Sequence, residues 1–585
     1  MIACTDVHFS YDGEHDALDG VSLSIADGEF VSVLGGNGSG KSTLARHLDA
    51  LLVPSSGTVT VDGLDTAERR NVYDIRSRVG LVFQNPDDQI VAGTVEDDVA
   101  FGPENLGVPT DELRARVNEA LSLVGLSGFE RRETSSLSGG QKQRLALAGV
   151  LAMRPRTLVL DEATAMLDPR GRAALMRVCR ELHEQGMTIV MITHFMEEAA
   201  EAGRIVVLDH GRVALDGAPE AVFSQADVLA RLGLDVPLPY HVGLTLRREV
   251  PGLAPRLTID AMLDELESQR GRSPLGTPAA TPSQRATSPM GQPVLEVERV
   301  SFGYERHGDL ALRDVSVSVR EGELVGLLGH TGSGKSTLVQ LMAGLERPAS
   351  GRVLIGGAAS AGRRARAWNR VGVVFQYPER QLFARTVRED VAFGPRNLGV
   401  TGDELAARVD GAIRGVGLDP DAVGDVSPFA LSGGQQRRIA FAGVLAMEPD
   451  VLVFDEPVAG LDPRSRREFI RLLHKLHAQG RTIVMTSHNM DDAAELCDRL
   501  VVLDHGSVLL DGTPTEVFSQ ADELRRMGLG IPDAQEMARR LIGRGWPLER
   551  GRLYTPDALI DDLRACLGAG AQRAAGTPHV EEVRR

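Results

Sequence analysis

Two ten-residue stretches, GGNGSGKSTL at 35–44 and GHTGSGKSTL at 329–338, set glycines, one lysine and two adjacent hydroxyls in an order suited to a bound polyphosphate. Gly35, Gly36, Gly38 and Gly40 let backbone N–H groups turn inward to form an anion-binding nest, and the helix that follows adds the positive end of its dipole. Asn37, Ser39 and Thr43 complete this loop. Lys41 would reach the outer phosphates, and the Ser42 hydroxyl would ligate Mg²⁺. The second copy supplies Gly329, His330, Thr331, Gly332, Ser333, Gly334, Lys335, Ser336 and Thr337. Only four basic residues of the chain are lysine (Lys41, Lys142, Lys335 and Lys475), and two of them stand in these loops. A compact ammonium suits those two positions where a planar guanidinium does not. Farther along, LVLDE and LVFDE end apolar runs with paired acids. Asp161 and Asp455 are placed to hold Mg²⁺, and Glu162 and Glu456 to accept a proton from, or orient, an attacking water. One such pair alone would read as a solvated strand end. Two pairs, each downstream of a phosphate loop, point to nucleotide hydrolysis.

Positioning these groups requires strands that end where the loops begin. FVSVL at 30–34 runs into the first phosphate loop, and the β-branched runs TLVLD and TIVMIT come later, each followed by polar or helical sequence. That alternation predicts an α/β fold with a largely parallel sheet flanked by helices. The arrangement is written twice. The glycine loops, LSGGQ at 137–141 and 431–435, the paired acids, and His194 and His488 all recur 294 residues apart, far beyond a solenoid period. Residues 268–293 hold five prolines and almost nothing apolar, so they are expected to form a disordered linker. A chain of that length spans about 28 Å on average, enough for the modules to pair within one molecule. The expected domains are a first module at 1–222 with a helical C-terminal appendage at 223–267, and a second at 294–517 with its appendage at 518–570. Residues 571–585 are expected to be a disordered tail.

LSGGQ is the signature of ATP-binding-cassette ATPases, and the chain resembles that family over both modules. The resemblance implies two P-loop NTPase domains, each with a helical subdomain and a small C-terminal appendage. Gln84 and Gln376 match the family's Q-loop and would join the Mg²⁺ ligands. AMLD at 165–168 and AGLD at 459–462 match its D-loop, His194 and His488 its switch histidine, and Tyr11 and Tyr304 the aromatic residue that stacks on adenine. Family modules pair head to tail. Ser432, Gly433, Gly434 and Gln435 would thus complete the site built on Lys41, and Ser138, Gly139, Gly140 and Gln141 the one built on Lys335.

The segments FQNPDDQIVAGTVEDDVAFGPENLGV (83–108) and FQYPERQLFARTVREDVAFGPRNLGV (375–400) resemble the ATPases of energy-coupling-factor transporters, bacterial importers of vitamins and transition-metal ions. The resemblance implies a transmembrane coupling protein docked on these segments, an integral substrate-binding component, and a place on the cytoplasmic face of the membrane. Asp87, Asp88 and Glu379 are then candidate partners for arginines of the coupling helices. ATP and Mg²⁺ are the implied substrate and cofactor.

The rest of the sequence agrees with a peripheral ATPase. No apolar run approaches the ~18 residues of a membrane span, and the start lacks the basic and apolar regions of a signal peptide. Four scattered cysteines suggest reduced thiols. A net charge of −17 without a basic stripe gives no expectation of a nucleic-acid partner. Three other classes fit less well. Ribosome-acting tandem ATPases carry charged helical connectors and altered signatures, chromosome ATPases carry long heptad segments, and tandem sugar-importer ATPases commonly have one degenerate half. The two modules differ at Asn37 and Thr331, Gly36 and His330, Ala163 and Pro457, and Met166 and Gly460, without loss of a catalytic group. The transported substrate is not written in this chain.

Overall fold

A computed structural model describes residues 1–165, 167–270, 291–304, 309–359, 370–376 and 378–567. Most of the expected linker, and the tail at 571–585, lie outside the described residues. The start of the linker needs correction: residues 268–270 form the last turn of the helix Ile259–Arg270, which continues because Leu266 and Gln269 are buried. Its end is also occupied, since Pro293 opens a strand. The chain divides into two units, the first holding the sheets of the first module together with Gly460–Arg464 of the second, and the other holding the sheets of the second module.

In the first unit a six-stranded sheet has the order Arg212–Gly217, Arg204–Asp209, Phe30–Leu34, Thr188–Ile192, Thr157–Asp161, Val79–Val82. All neighbours are parallel except the antiparallel edge strand Arg212–Gly217. Phe30–Leu34, Thr157–Asp161, Thr188–Ile192 and Val79–Val82 are buried along their whole length, which explains why they read as mostly apolar runs. Because these four run the same way, the residues that follow Leu34, Asp161, Ile192 and Val82 all emerge at one edge of the sheet. Ligands of open α/β sheets bind at that edge.

The expectation of a largely parallel sheet missed a second layer. Asp16–Ile25, Ile2–Ser10, Ser56–Val61 and Leu64–Asp65 form a separate antiparallel sheet. The alternating burial of Asp16–Ile25, with one face wet, is the physical difference. Three helices, Val95–Asn105, Thr110–Leu123 and Gly139–Ala152, make the helical subdomain over a core that includes Val99, Val117, Leu121 and Leu145. The helices Pro219–Phe223, at the end of the module, and Ala226–Arg231 and Leu238–Arg247, in the appendage, are not a loose addition. Phe223, Leu229 and Tyr240 share a core with Leu34, Ile205 and Val207 of the main sheet.

The second unit repeats this plan, with a six-stranded sheet of order Val371–Val374, Val451–Phe454, Thr482–Thr486, Leu324–Leu328, Arg499–Asp504, Ser507–Gly512. The copies have diverged at buried positions. Buried Ser32 in the strand Phe30–Leu34 is matched by Gly326, where a Cβ would lie 2.7 Å from Cys497 Sγ.

One close approach recurs in both units and sets the signature helix against the Q-loop strand. A Cβ on Gly80 would sit 2.3 Å from Val150 Cγ1 and 3.1 Å from Pro155 Cγ; on Gly372 it would sit 2.6 Å from Val444 Cγ1 and 2.8 Å from Pro449 Cγ. Valine and proline have little freedom to move aside. Gly80→Ala is therefore expected to cost about 1–3 kcal/mol in thermal or urea melts. Gly93→Ala, whose Cβ meets nothing within 4 Å, is the neutral comparison.

Candidate active site

The phosphate loops take a shape that needs their glycines. Gly40 caps the helix Lys41–Leu48 in the left-handed region, at φ 99°, and a Cβ there would lie 2.5 Å from the Ala17 carbonyl. Gly334 does the same for Lys335–Met342, at φ 103°. Gly38 and Gly332 also have positive φ, and Asn37 and Gly38 form an exposed tip. Ser39 and Ser333 are buried beneath the loops, and neither Oγ has a hydrogen-bond partner.

Lys41 is 5% exposed, and its ammonium donates to the carbonyls of Gly35 and Gly36, both at 2.9 Å. Lys335 donates to Gly329 at 2.6 Å and His330 at 3.0 Å. Burial lowers the pKa of Lys41, against the pull of Glu162 and Asp161. Ser42 Oγ donates to Asp161 Oδ1 at 2.9 Å. Burial, with help from Glu162, pushes the Asp161 carboxyl up to about 6, although Ser42 and Lys41 oppose it.

Glu162 goes the other way. Burial would raise its pKa, but contact with His194 and the field of Lys41 outweigh burial and lower it. His194 Nε2 lies 2.6 Å from Glu162 Oε1, and Gln84 Nε2 donates to Glu162 Oε2 at 2.8 Å. The Glu162 backbone sits at φ +51°, a costly setting for a non-glycine residue, and its N–H donates to the Ile192 carbonyl at 3.0 Å. Glu456 repeats the φ of +51°, accepts from Gln376 Nε2 at 3.0 Å and touches His488 Nε2. Adjacent acids pushed apart in this way separate a proton acceptor from a neighbour held closer to neutral. Among Ser42, Asp161 and Gln84 the available donors are hard oxygens, the ligand type that suits Mg²⁺. Ser336, Asp455 and Gln376 offer the same set.

Tyr11 and Tyr304 are 60% and 64% exposed, with hydroxyls 3.3 Å from Thr43 Oγ1 and 3.0 Å from Thr337 Oγ1. Each stands edge-on to a phenylalanine, Phe9 or Phe302, leaving ring surface open. Ser138 and Ser432 cap the helices Gly139–Ala152 and Gly433–Leu445, whose first turns hold Gly140 and Gly434; Ser138 N–H donates to Gln141 Oε1 at 2.9 Å, and Ser432 N–H to Gln435 Oε1 at 3.0 Å. The S-x-x-Q spacing is thus also a capping box.

Two features escaped the sequence reading. Thr486 Oγ1 donates to Asp455 Oδ1 at 2.7 Å and accepts from the Glu456 N–H at 2.8 Å. The first unit has Ile192 there, a contrast visible on aligning TIVMIT with TIVMTS. Also, Asp87 and Glu379 are already paired within their own units, to Lys142 at 2.6 Å and Arg437 at 3.4 Å. Lys142 and Arg437 occupy neighbouring positions on the two signature helices, so the same tie is made from different residues.

The ABC transporter family profile matches residues 18–165 and 312–459. The chain belongs to the ABC transporter family. Like other ABC ATPases it binds and hydrolyses ATP. It is 38% identical over 576 residues to a protein of Methanosarcina acetivorans named an ABC transporter ATP-binding protein, covering 94% of this chain and 91% of that one. It is 58% identical over 252 residues to an energy-coupling factor transporter ATP-binding protein of Symbiobacterium thermophilum, covering 43% of this chain and 88% of that protein. A solved structure from Clostridium perfringens, described as part of an ABC transporter complex, matches at 37% identity and a TM-score of 0.36, over 40% of this chain and 94% of that one. Among the described residues of this ABC ATPase, no helix is long and apolar enough to cross a membrane.

The raised Asp161 pKa has a consequence for stability. Below pH 4 the carboxyl is protonated in both folded and unfolded chains. As pH climbs from 4 through about 6, the unfolded chain loses this proton first, so stability falls, by about 1–3 kcal/mol in all. Asp161→Asn is expected to raise the melting temperature of the nucleotide-free chain at pH 8, with no difference near pH 4. A lower melting temperature at pH 8 would contradict this account of the site.

Proposed function

We propose that this chain is the ATPase of an energy-coupling-factor type importer, with both ATPase components fused, driving uptake of a vitamin or transition-metal ion. The observation that carries the proposal is the 58% identity to an energy-coupling factor transporter ATP-binding protein across most of that protein's length. Mg²⁺ would be held by Ser42, Gln84 and Asp161 in one site and by Ser336, Gln376 and Asp455 in the other, where it would neutralise phosphate charge. Lys41 and Lys335 bind the outer phosphates. Glu162 and Glu456 accept the proton of the attacking water, Gln84 and Gln376 orient those carboxylates, and His194 and His488 hold their other oxygen. Tyr11 and Tyr304 stack on adenine. The low pKa of Glu162 and Glu456 supports their role as acceptors at neutral pH.

Each site is completed by the signature of the other half: Ser432, Gly434 and Gln435 for Lys41, and Ser138, Gly140 and Gln141 for Lys335. The capping geometry supports this reading, because a capped helix N-terminus presents N–H groups and a positive dipole end to an anion. Retention of a non-hydrolysable ATP analogue tests the pairing. Lys41→Ala with Ser432→Arg damages one site and should leave one analogue per chain. Lys41→Ala with Ser138→Arg should leave none; the reverse result rejects it.

The coupling protein would dock on the segments after Gln84 and Gln376, placing the chain on the cytoplasmic face of the membrane. With Asp87 and Glu379 already paired, the better candidates for contact are apolar. Phe383 and Phe393, 60% and 51% exposed, stack edge to face at 4.9 Å, and Val91 and Phe101 hold the same positions in the first unit, 62% and 51% exposed. Phe101→Asp with Phe393→Asp should abolish co-purification of the membrane components while ATP binding persists. Unchanged co-purification would remove these residues from the docking surface.

A further inference from the structure

We propose that the second half carries a divalent transition-metal site, built from His330, Asp504 and His505, that the first half lacks. His330 Nδ1 lies 2.8 Å from the Thr331 carbonyl, which can only accept, so the ring proton sits on Nδ1. In the neutral ring, Nε2 then presents its lone pair. That atom lies 3.1 Å from Asp504 Oδ1, another acceptor. Two acceptors this close need a second ring proton or a cation between them. His505 supplies a third donor: its Nε2 is 3.8 Å from the same carboxylate oxygen, and its ring centroid is 5.1 Å from that of His330.

The ligand atoms all lie within 4.8 Å of one another. Ions with bonds of about 2.0–2.2 Å bring their donors to roughly 3–4 Å separations, so small side-chain movements close the site. Two imidazoles and one carboxylate select Zn²⁺, Ni²⁺ or Co²⁺ over Mg²⁺, and three protein ligands leave a position for water. The contact from Nδ1 to a backbone carbonyl is the outer-shell support that fixes a metal-binding histidine.

Asymmetry between the halves strengthens the inference. Asp209 and His210 keep the same 3.8 Å pair in the first unit, but Gly36 stands where the second has His330. His330 belongs to the phosphate loop, and its carbonyl accepts from Lys335. An ion here would tie that loop to the turn joining Arg499–Asp504 and Ser507–Gly512, in the second unit only.

Equilibrium dialysis of the full chain against Zn²⁺, without nucleotide, tests the site. His505→Asn removes an exposed imidazole at a left-handed position (φ 45°) that asparagine tolerates. This variant and Asp504→Asn should each lose one bound ion or weaken its binding about tenfold or more. Gly36→His should gain one ion, because a Cβ at Gly36 meets nothing nearer than 3.9 Å. Uptake identical in wild type, His505→Asn and Asp504→Asn would overturn the proposal. So would no uptake by the wild type, which would leave His330 and Asp504 as an ion pair alone.

Discussion

The buried carboxylate of Glu162, held between Gln84 and His194, is the interaction on which the first unit's architecture turns. Three strands must end in register to bring these residues together: Val79–Val82 before Gln84, Thr157–Asp161 before Glu162, and Thr188–Ile192 before His194. The carboxylate also needs a backbone at φ +51°, a conformation that nothing local favours and that the parallel sheet imposes. The second unit meets the same requirement with Gln376, Glu456 and His488. Keeping the carboxylate charged while buried takes the histidine and the lysine together. Next door, burial first and the charge of Glu162 second push the Asp161 carboxyl up to about 6.

Much of this site was legible in the sequence, because phosphate chemistry dictates residue type and spacing over a few positions. Gly40 must be glycine for a left-handed turn against the Ala17 carbonyl, and Lys41 must be compact to fold back onto its own loop. The fully buried strands announced themselves for another reason: burial on both faces leaves mostly apolar residues. Contacts between distant segments were not legible. The pairings of Asp87 with Lys142 and of Glu379 with Arg437 join positions far apart in the chain, and their charges read equally well as solvated. The second, antiparallel sheet was missed because half-buried strands give a weaker signal than buried ones. The helix Ile259–Arg270 ran past its expected end because a buried Gln269 looks like linker composition.

The two copies differ by exchange rather than decay. Glycine stands at Gly326 where the first copy has Ser32, a cation moves one position along the signature helix, and Thr486 adds a hydroxyl beside Asp455 where Ile192 has none. Every catalytic side chain persists in both. Both constellations are therefore complete while their surroundings diverge, and His330 is one such divergence inside a phosphate loop.

The most direct test of the account is single-turnover ATP hydrolysis by Glu162→Gln, by Glu456→Gln and by the double variant, with ATP binding measured alongside. Loss of a general base predicts that the double variant binds ATP normally while its hydrolysis falls about 10²–10⁴-fold. Hydrolysis by the double variant at the parental rate would show that these carboxylates do not accept the proton, and would contradict the central claim.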